Sequence, residues 1–179
     1  MAAPPFFTIG HSNRELGEFL ALLEGNAIEQ VADVRKLPGS SRYPQFDADA
    51  LEAALGERGI GFLRLEGLTG RRPVSREVPF EVNAWWQNRS FHNYADHALS
   101  AGFREALASL RRSGSGLRTA VMCSEAVWWR GHRRIIADHL PVAGEEEVHL
   151  IGQDPPPRAG LGAGAGGGGD GAGTYPAAP

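Results

Sequence analysis

The stretch FFTIGHSNRELGEFLALLEGNAIEQVADV, residues 6 to 34, contains a complete change of hydrophobic period and back again. Phe6 to Gly10 is a short apolar run of strand length, after which Leu16, Phe19, Leu20 and Leu23 recur at helical spacing, and Ile28 to Val34 is apolar and strand-like again. A strand, a helix and a second strand in this order form the unit from which parallel sheets are built. Ser12 followed by Glu15 has the spacing of a capping box, so the helix is expected to begin just beyond His11-Ser12.

The alternation continues along the chain. Phe46, Asp47 and Leu51 have the form of a hydrophobic staple around an N-cap at Asp47, predicting a helix from about Ala48 to Arg58 that stops at Gly59. Ile60 to Leu65 reads as a third strand. Glu66 to Ser90 is a long excursion carrying Trp85-Trp86 and several arginines, a length at which loops are lids, binding loops or disordered. Leu99, Phe103, Ala106, Leu107 and Leu110 predict one helix from about Tyr94 to Arg112. Arg118 to Met122 is a fourth strand, a helix is expected around Arg130 to His139, and Glu147 to Ile151 is the last strand. The expected architecture is a single α/β domain over residues 1 to 152, with a mostly parallel sheet of about five strands flanked by helices. From Gln153 to Pro179 glycine, proline and alanine dominate, leaving almost nothing to bury, so a disordered tail is expected. Its glycine run lacks the Gly-Lys-Ser/Thr ending of a phosphate loop.

Composition narrows the function classes. With 42% hydrophobic and 22% charged residues the chain has the balance of a globular domain. No window reaches the roughly 18 to 20 consecutive apolar residues of a membrane span, and MAAPPFFTIGHS has no basic region leading into an apolar run. A cytoplasmic protein with no membrane partner is the expectation. The single cysteine, Cys123, excludes an intrachain disulfide and a cysteine-only zinc site. The net charge of -3 argues against tight, sequence-independent binding to long nucleic acid. Basic side chains are 17 arginines and one lysine, Lys36, and arginine suits planar oxyanions better than lysine does.

Ligands of open parallel sheets bind beyond the carboxyl ends of the strands. His11 and Ser12 follow the first predicted strand, Asp33, Arg35 and Ser40 the second, and Cys123, Ser124 and Glu125 the fourth. These strand ends therefore carry titratable, nucleophilic or hydroxyl side chains, which is read as one site. Glu125 or His11 can act as acid or base, and Arg35 and Arg133 can bind an anion. Asp33 and Arg35, two residues apart, project to one side of a continuing strand and can equally hold each other. Cys123 is a candidate nucleophile if cations lower its pKa, yet the position six residues later is Trp129 rather than the arginine of phosphatase loops, and a free cysteine is commonly buried. His132 can serve the site or face the core. No His-x-x-x-His pair and no close cysteine or histidine pair gives metal-ligand spacing, so neither metal nor cofactor is expected. Tyr94 and the tryptophans can stack on a nucleobase, although tryptophan is more often a packing residue.

Thr8-Ile9-Gly10-His11-Ser12, Asp33-Val34-Arg35 with Pro38 and Ser40, Asn93-Tyr94-Ala95-Asp96, and Met122-Cys123-x-Glu125 with His132-Arg133 together resemble the bacterial family called domain of unknown function 488, over about residues 7 to 140. The resemblance implies no activity, because the family is named for lacking one. The chain departs from the family in three places: Gly131 stands where a second cysteine is usual, Trp128 near a usual proline, and Leu68-Thr69-Gly70 where Leu-Gly-Gly is common. A mechanism using a cysteine pair would lack its second thiol here. The expected function is a small hydrolase or transferase acting on a polar, anionic or nucleotide-like ligand; a noncatalytic nucleotide or nucleic-acid binding module is the alternative.

Overall fold

Five parallel strands form one sheet in the order β3-β2-β4-β1-β5, comprising β1 (Phe6–Gly10), β2 (Gln30–Asp33), β3 (Gly61–Arg64), β4 (Thr119–Cys123) and β5 (Glu147–Leu150). The computed structural model describes residues 4–36, 39, 42–70, 72–124, 132–143, 145–150, 166–167 and 173–176. Helices α1 (Leu16–Gly25) and α2 (Ala48–Glu57) cover one face, where Phe19, Leu23, Leu51 and Leu55 pack on Ile9, Val31 and Met122. Helices α3 (Arg89–His97), α4 (Ala101–Ser113) and α5 (Arg133–Val142) belong to the other face, where Tyr94, Phe103, Leu110, Ile135 and Ile136 meet Phe6, Ala32, Val121 and Cys123. The period-two alternation of the strands divides the two cores, since Phe7 and Ile9 enter the first and Phe6 the second.

Local signals explain most boundaries. Phe46 and Leu51 are both fully buried on either side of Asp47, as the staple requires, and Gly59 takes the left-handed conformation at φ 73° beyond α2. The Asp47 side chain makes no cap hydrogen bond. The Ser12 to Glu15 capping box does not form: Ser12 itself is left-handed at φ 47°, its hydroxyl turns to Asn13, and α1 starts only at Leu16. The single helix expected from Tyr94 to Arg112 is two. Ser100 interrupts it by capping α4, its hydroxyl accepting from the Phe103 N–H at 3.2 Å. The hydroxyl offers an alternative partner to an amide that hydrophobic spacing alone assigns to a continuous ladder.

The excursion after β3 is structured at both ends. Glu66–Leu68 forms a 3-10 turn laid against α4 so closely that a Cβ at Gly67 would stand 2.6 Å from Ala106 Cβ and 2.8 Å from Gly102 O. Phe80–Asn83 forms another and leads into α3, which Asn88 caps through the N–H groups of Ser90 and Phe91. Within the glycine-rich tail, Gly166–Gly167 (β6) pairs antiparallel with Gly173–Thr174 (β7), and the following Tyr175 is fully buried in the second core. Tyr175 is thus one residue that the tail does bury. No helix is long and apolar enough to cross a membrane among the described residues.

Candidate functional site

The strand order puts β4 between β2 and β1, while the helix after β4 lies on the opposite face from those after β1 and β2. Neighbouring strands whose connections depart to opposite faces leave a crevice at their carboxyl ends. Main-chain hydrogen bonds extend the ladder into that crevice: His11 N–H to Cys123 O at 3.0 Å, Ser12 N–H to Ser124 O at 2.9 Å, and Val34 N–H to Met122 O at 3.1 Å. His11, Ser12, Asp33, Cys123 and Ser124 are thereby fixed side by side.

His11 is 4% exposed, stacked on Phe46 with ring centroids 4.6 Å apart and with its neighbour Tyr43 edge-on at 6.4 Å. Its Nδ1 lies 2.9 Å from Ser12 O. A carbonyl only accepts, so Nδ1 carries the proton and Nε2 of the neutral ring holds the lone pair. Burial lowers the pKa below 6.5, the Ser12 hydrogen bond opposes that, Arg35 lowers it further and Asp33 opposes it again. The ring is a neutral proton acceptor at physiological pH.

Asp33 and Arg35 bind one another. Arg35 Nε donates to Asp33 Oδ1 at 2.9 Å and Nη2 to Oδ2 at 3.0 Å, the Arg35 main-chain N–H adds a third bond to Oδ1 at 3.0 Å, and Nη1 donates to Phe46 O at 2.6 Å. Arg64 Nη1 approaches Oδ2 at 3.7 Å. With both partners buried, the pair braces the end of β2 against the Pro44–Phe46 turn that supports His11. The alternative left open by the sequence, that these two residues hold each other, is the observed one.

The opposite wall is built by His132, Tyr94 and Cys123. His132 Nε2 donates to Val34 O at 2.9 Å, and its ring lies 4.9 Å from that of Tyr94. Burial chiefly lowers its pKa to about 4, the Val34 bond opposing and Arg133 and Arg72 assisting. Tyr94 is fully buried, with its hydroxyl donated to Leu68 O at 2.6 Å, so its ring is part of the core. Cys123 is also buried, within the same apolar cluster. Trp86 is buried and Trp85 half-buried, and Arg134 lies over both rings at 4.9 and 5.4 Å. Ser12 is half-buried at the crevice. Arg133, at the start of α5, is 0% exposed and near enough to His132 and His149 for its charge to lower both. Ser40, Glu125, Trp128 and Gly131 lie outside the described residues.

Several contacts that shape this half of the molecule were not foreseen from the sequence, which offers Arg72 as one of the arginines around the aromatic side chains. Arg72 ties the 66–72 segment together, donating to Thr69 O at 2.9 Å and Glu66 O at 2.6 Å. Beneath α5, Thr8 Oγ1 and His149 Nδ1 are 2.5 Å apart across paired strands, and Glu147 is 2% exposed with neither carboxyl oxygen hydrogen-bonded within the described residues. The polar-apolar alternation of Glu147-Val148-His149-Leu150 was the available signal, although alternation ordinarily marks a solvated face. Among the described residues no group of three or more His, Cys, Asp or Glu side chains comes together as a metal cage.

A family model described as "Domain of unknown function DUF488" matches residues 15–140 of the chain. Comparison with curated proteins finds no match, and neither does comparison with solved structures.

Proposed function

Because the chain belongs to the DUF488 family, whose description assigns no activity, we propose a function from the crevice itself: hydrolysis or group transfer on a polar, anionic or nucleotide-like small ligand. The observation that carries this reading is the Nδ1 to Ser12 O hydrogen bond of His11, which leaves a neutral Nε2 acceptor at the junction of β1 and β4. In this mechanism His11 removes a proton from water or from a ligand hydroxyl, and Glu125, which follows β4 in the sequence, returns one to the leaving group. Ser12 and Ser40 supply hydroxyl contacts, Arg133 supplies the electropositive side of the site, and His132, neutral at physiological pH and held by Val34 O, supplies a polar contact. Asp33 and Arg35, whose side-chain groups are spent on each other and on Phe46 O, position His11 through Phe46. The Cys123 thiol, buried among apolar side chains, is given no chemical step.

A thermal-shift screen of the wild type, His11→Gln and Glu125→Gln against nucleotides, nucleosides, inorganic anions and short oligonucleotides tests the reading. A ligand at about 100 times its Kd adds roughly 2.7 kcal/mol. That is about 5 to 10 °C for a chain of this size. The expected result is one ligand class that shifts all three proteins and is turned over by the wild type alone. Turnover by His11→Gln at the wild-type rate overturns the assignment of the base. The alternative, a noncatalytic nucleotide or nucleic-acid binding module, uses the same crevice without proton transfer. It predicts the same shifts with no turnover by any of the three proteins.

A further inference from the structure

Tyr175 is held as a ligand is held. Its hydroxyl donates to Asp138 Oδ2 at 2.6 Å, its main-chain N–H donates to Asn83 Oδ1 at 2.9 Å, and its carbonyl accepts from the Trp85 N–H at 3.0 Å. Its ring lies 5.1 Å from that of Trp86. The side chain is 0% exposed, whereas Thr174 is half-buried and Pro176 exposed, so one residue enters and the chain passes over. Every one of these partners lies inside the segment 15–140 that the family model matches, and Tyr175 lies outside it.

The receiving groups are arranged without help from the tail. Asn83 Nδ2 donates to Asp96 Oδ1 at 2.7 Å, and Asp96 Oδ2 is 3.4 Å from His92 Nδ1, one turn earlier on α3. Holding the amide group by its nitrogen fixes Oδ1 toward the incoming N–H. Asp138 is presented by α5, and Trp86 is set against Phe91 with ring centroids 5.1 Å apart. A hollow that reads a phenol hydroxyl, an aromatic ring and both main-chain polar groups of one residue recognises a tyrosine within an extended peptide. The sequence between Leu150 and Tyr175 is mostly glycine, alanine and proline, a composition that tethers without docking.

We propose that the hollow between the Phe80–Asn83 turn, Trp86 and α5 is a tyrosyl-peptide binding site, which the chain's own Gly173–Pro176 segment fills in cis and which accepts the same peptide in trans. The two modes compete. A covalent tether supplies an effective concentration of about a millimolar, so the free peptide reaches the site of the wild type only by displacing the tethered one.

The test uses the full-length chain with Tyr175→Ala and a fluorescent peptide of sequence GTYPAAP, residues 173 to 179, followed by anisotropy. Saturable binding to Tyr175→Ala, at least tenfold weaker binding to the wild type, and about tenfold weaker binding of the peptide with phenylalanine for tyrosine are expected. A folded Tyr175→Ala protein that does not bind the peptide at millimolar concentration overturns the proposal. So does a Tyr175→Ala chain that fails to fold, since Tyr175 is then an integral core residue rather than a ligand. In the wild type, hydrogen exchange at the Tyr175 amide should accelerate when unlabelled peptide is added, and an unchanged rate also counts against the proposal. These measurements are independent of the strand-end chemistry.

Discussion

The Arg35 guanidinium meets the Asp33 carboxylate edge to edge, with Nε to Oδ1 at 2.9 Å and Nη2 to Oδ2 at 3.0 Å, and both side chains are almost wholly removed from solvent. Two residues on one strand end thus neutralise each other two positions apart. Removing either partner leaves a buried charge. Asp33→Ala should cost about 3–5 kcal/mol, and Arg35→Lys should fail to rescue the pair, because an ammonium cannot span both oxygens in the same plane. Urea unfolding of the two single variants and of an apolar double replacement checks this. The double variant should be more stable than Asp33→Ala.

Gly70 has no room for a side chain. A Cβ there would stand 2.9 Å from His132 Nδ1 and 3.3 Å from two ring carbons. The ring is held by Val34 O and by Tyr94, so it yields only by giving up its hydrogen bond. Gly70→Ala should destabilise the protein by about 1–3 kcal/mol. The His132 imidazole resonances should shift, whereas those of His11 should not.

Ser100 separates α3 from α4 by capping the second. Ser100→Ala should cost about 1 kcal/mol. Ser100→Asp, which keeps an acceptor for the Phe103 N–H, should restore most of it. The corresponding fall in melting temperature is about 2–4 °C.

Stability should depend on pH with a maximum near neutrality. His132, His139 and His149 bind protons at about pH 4 in the folded chain, chiefly because they are buried, against an ordinary value of 6.5. Between those values the unfolded chain holds more protons, so stability falls as the pH drops from 6.5 toward 4, by up to about 1.4 kcal/mol per pH unit for each ring. Glu147 acts in the opposite sense. Burial, and then the charge of Asp138, push its carboxyl up to about 9 from 4.5. Its contribution is complete below 4.5 and is lost as the pH rises toward 9, at about 1.4 kcal/mol per unit. Denaturant midpoints measured from pH 4 to 9 should rise and then fall, and Glu147→Gln should flatten the alkaline limb and steepen the acid one, because the glutamate opposes the histidines between 4.5 and 6.5.

Much of this arrangement was legible in the residues. All five sheet strands were found within one or two residues of their ends, because short apolar runs punctuated by helical spacing have few other interpretations. His11, Asp33 and Cys123 were correctly placed at strand ends, since a parallel sheet fixes which end of each strand is which. What was not legible depended on partners remote in sequence. Tyr94 has the look of a stacking platform until Leu68 O is seen to take its hydroxyl. The Ser12 cap was misread because the spacing of a capping box does not reveal that its first residue is left-handed. Tyr175 was invisible because a single aromatic in a glycine-rich tail has no periodicity.

The central position of β4 has a consequence for synthesis of the chain. Strands β1 and β2 are not neighbours, and the gap between them is filled by a strand that begins only at Thr119. On the ribosome, both inner strands must therefore wait with exposed hydrogen-bonding edges while the chain grows from Arg64 to Cys123. At about 5–20 residues per second that interval lasts roughly 3 to 12 seconds. The first three strands have no stable sheet of their own to enter, so the sheet closes late and through long-range pairing, the kind of step that folds slowly and leaves edges open to other chains. Nascent chains stalled before residue 119 should consequently be the form most dependent on chaperones.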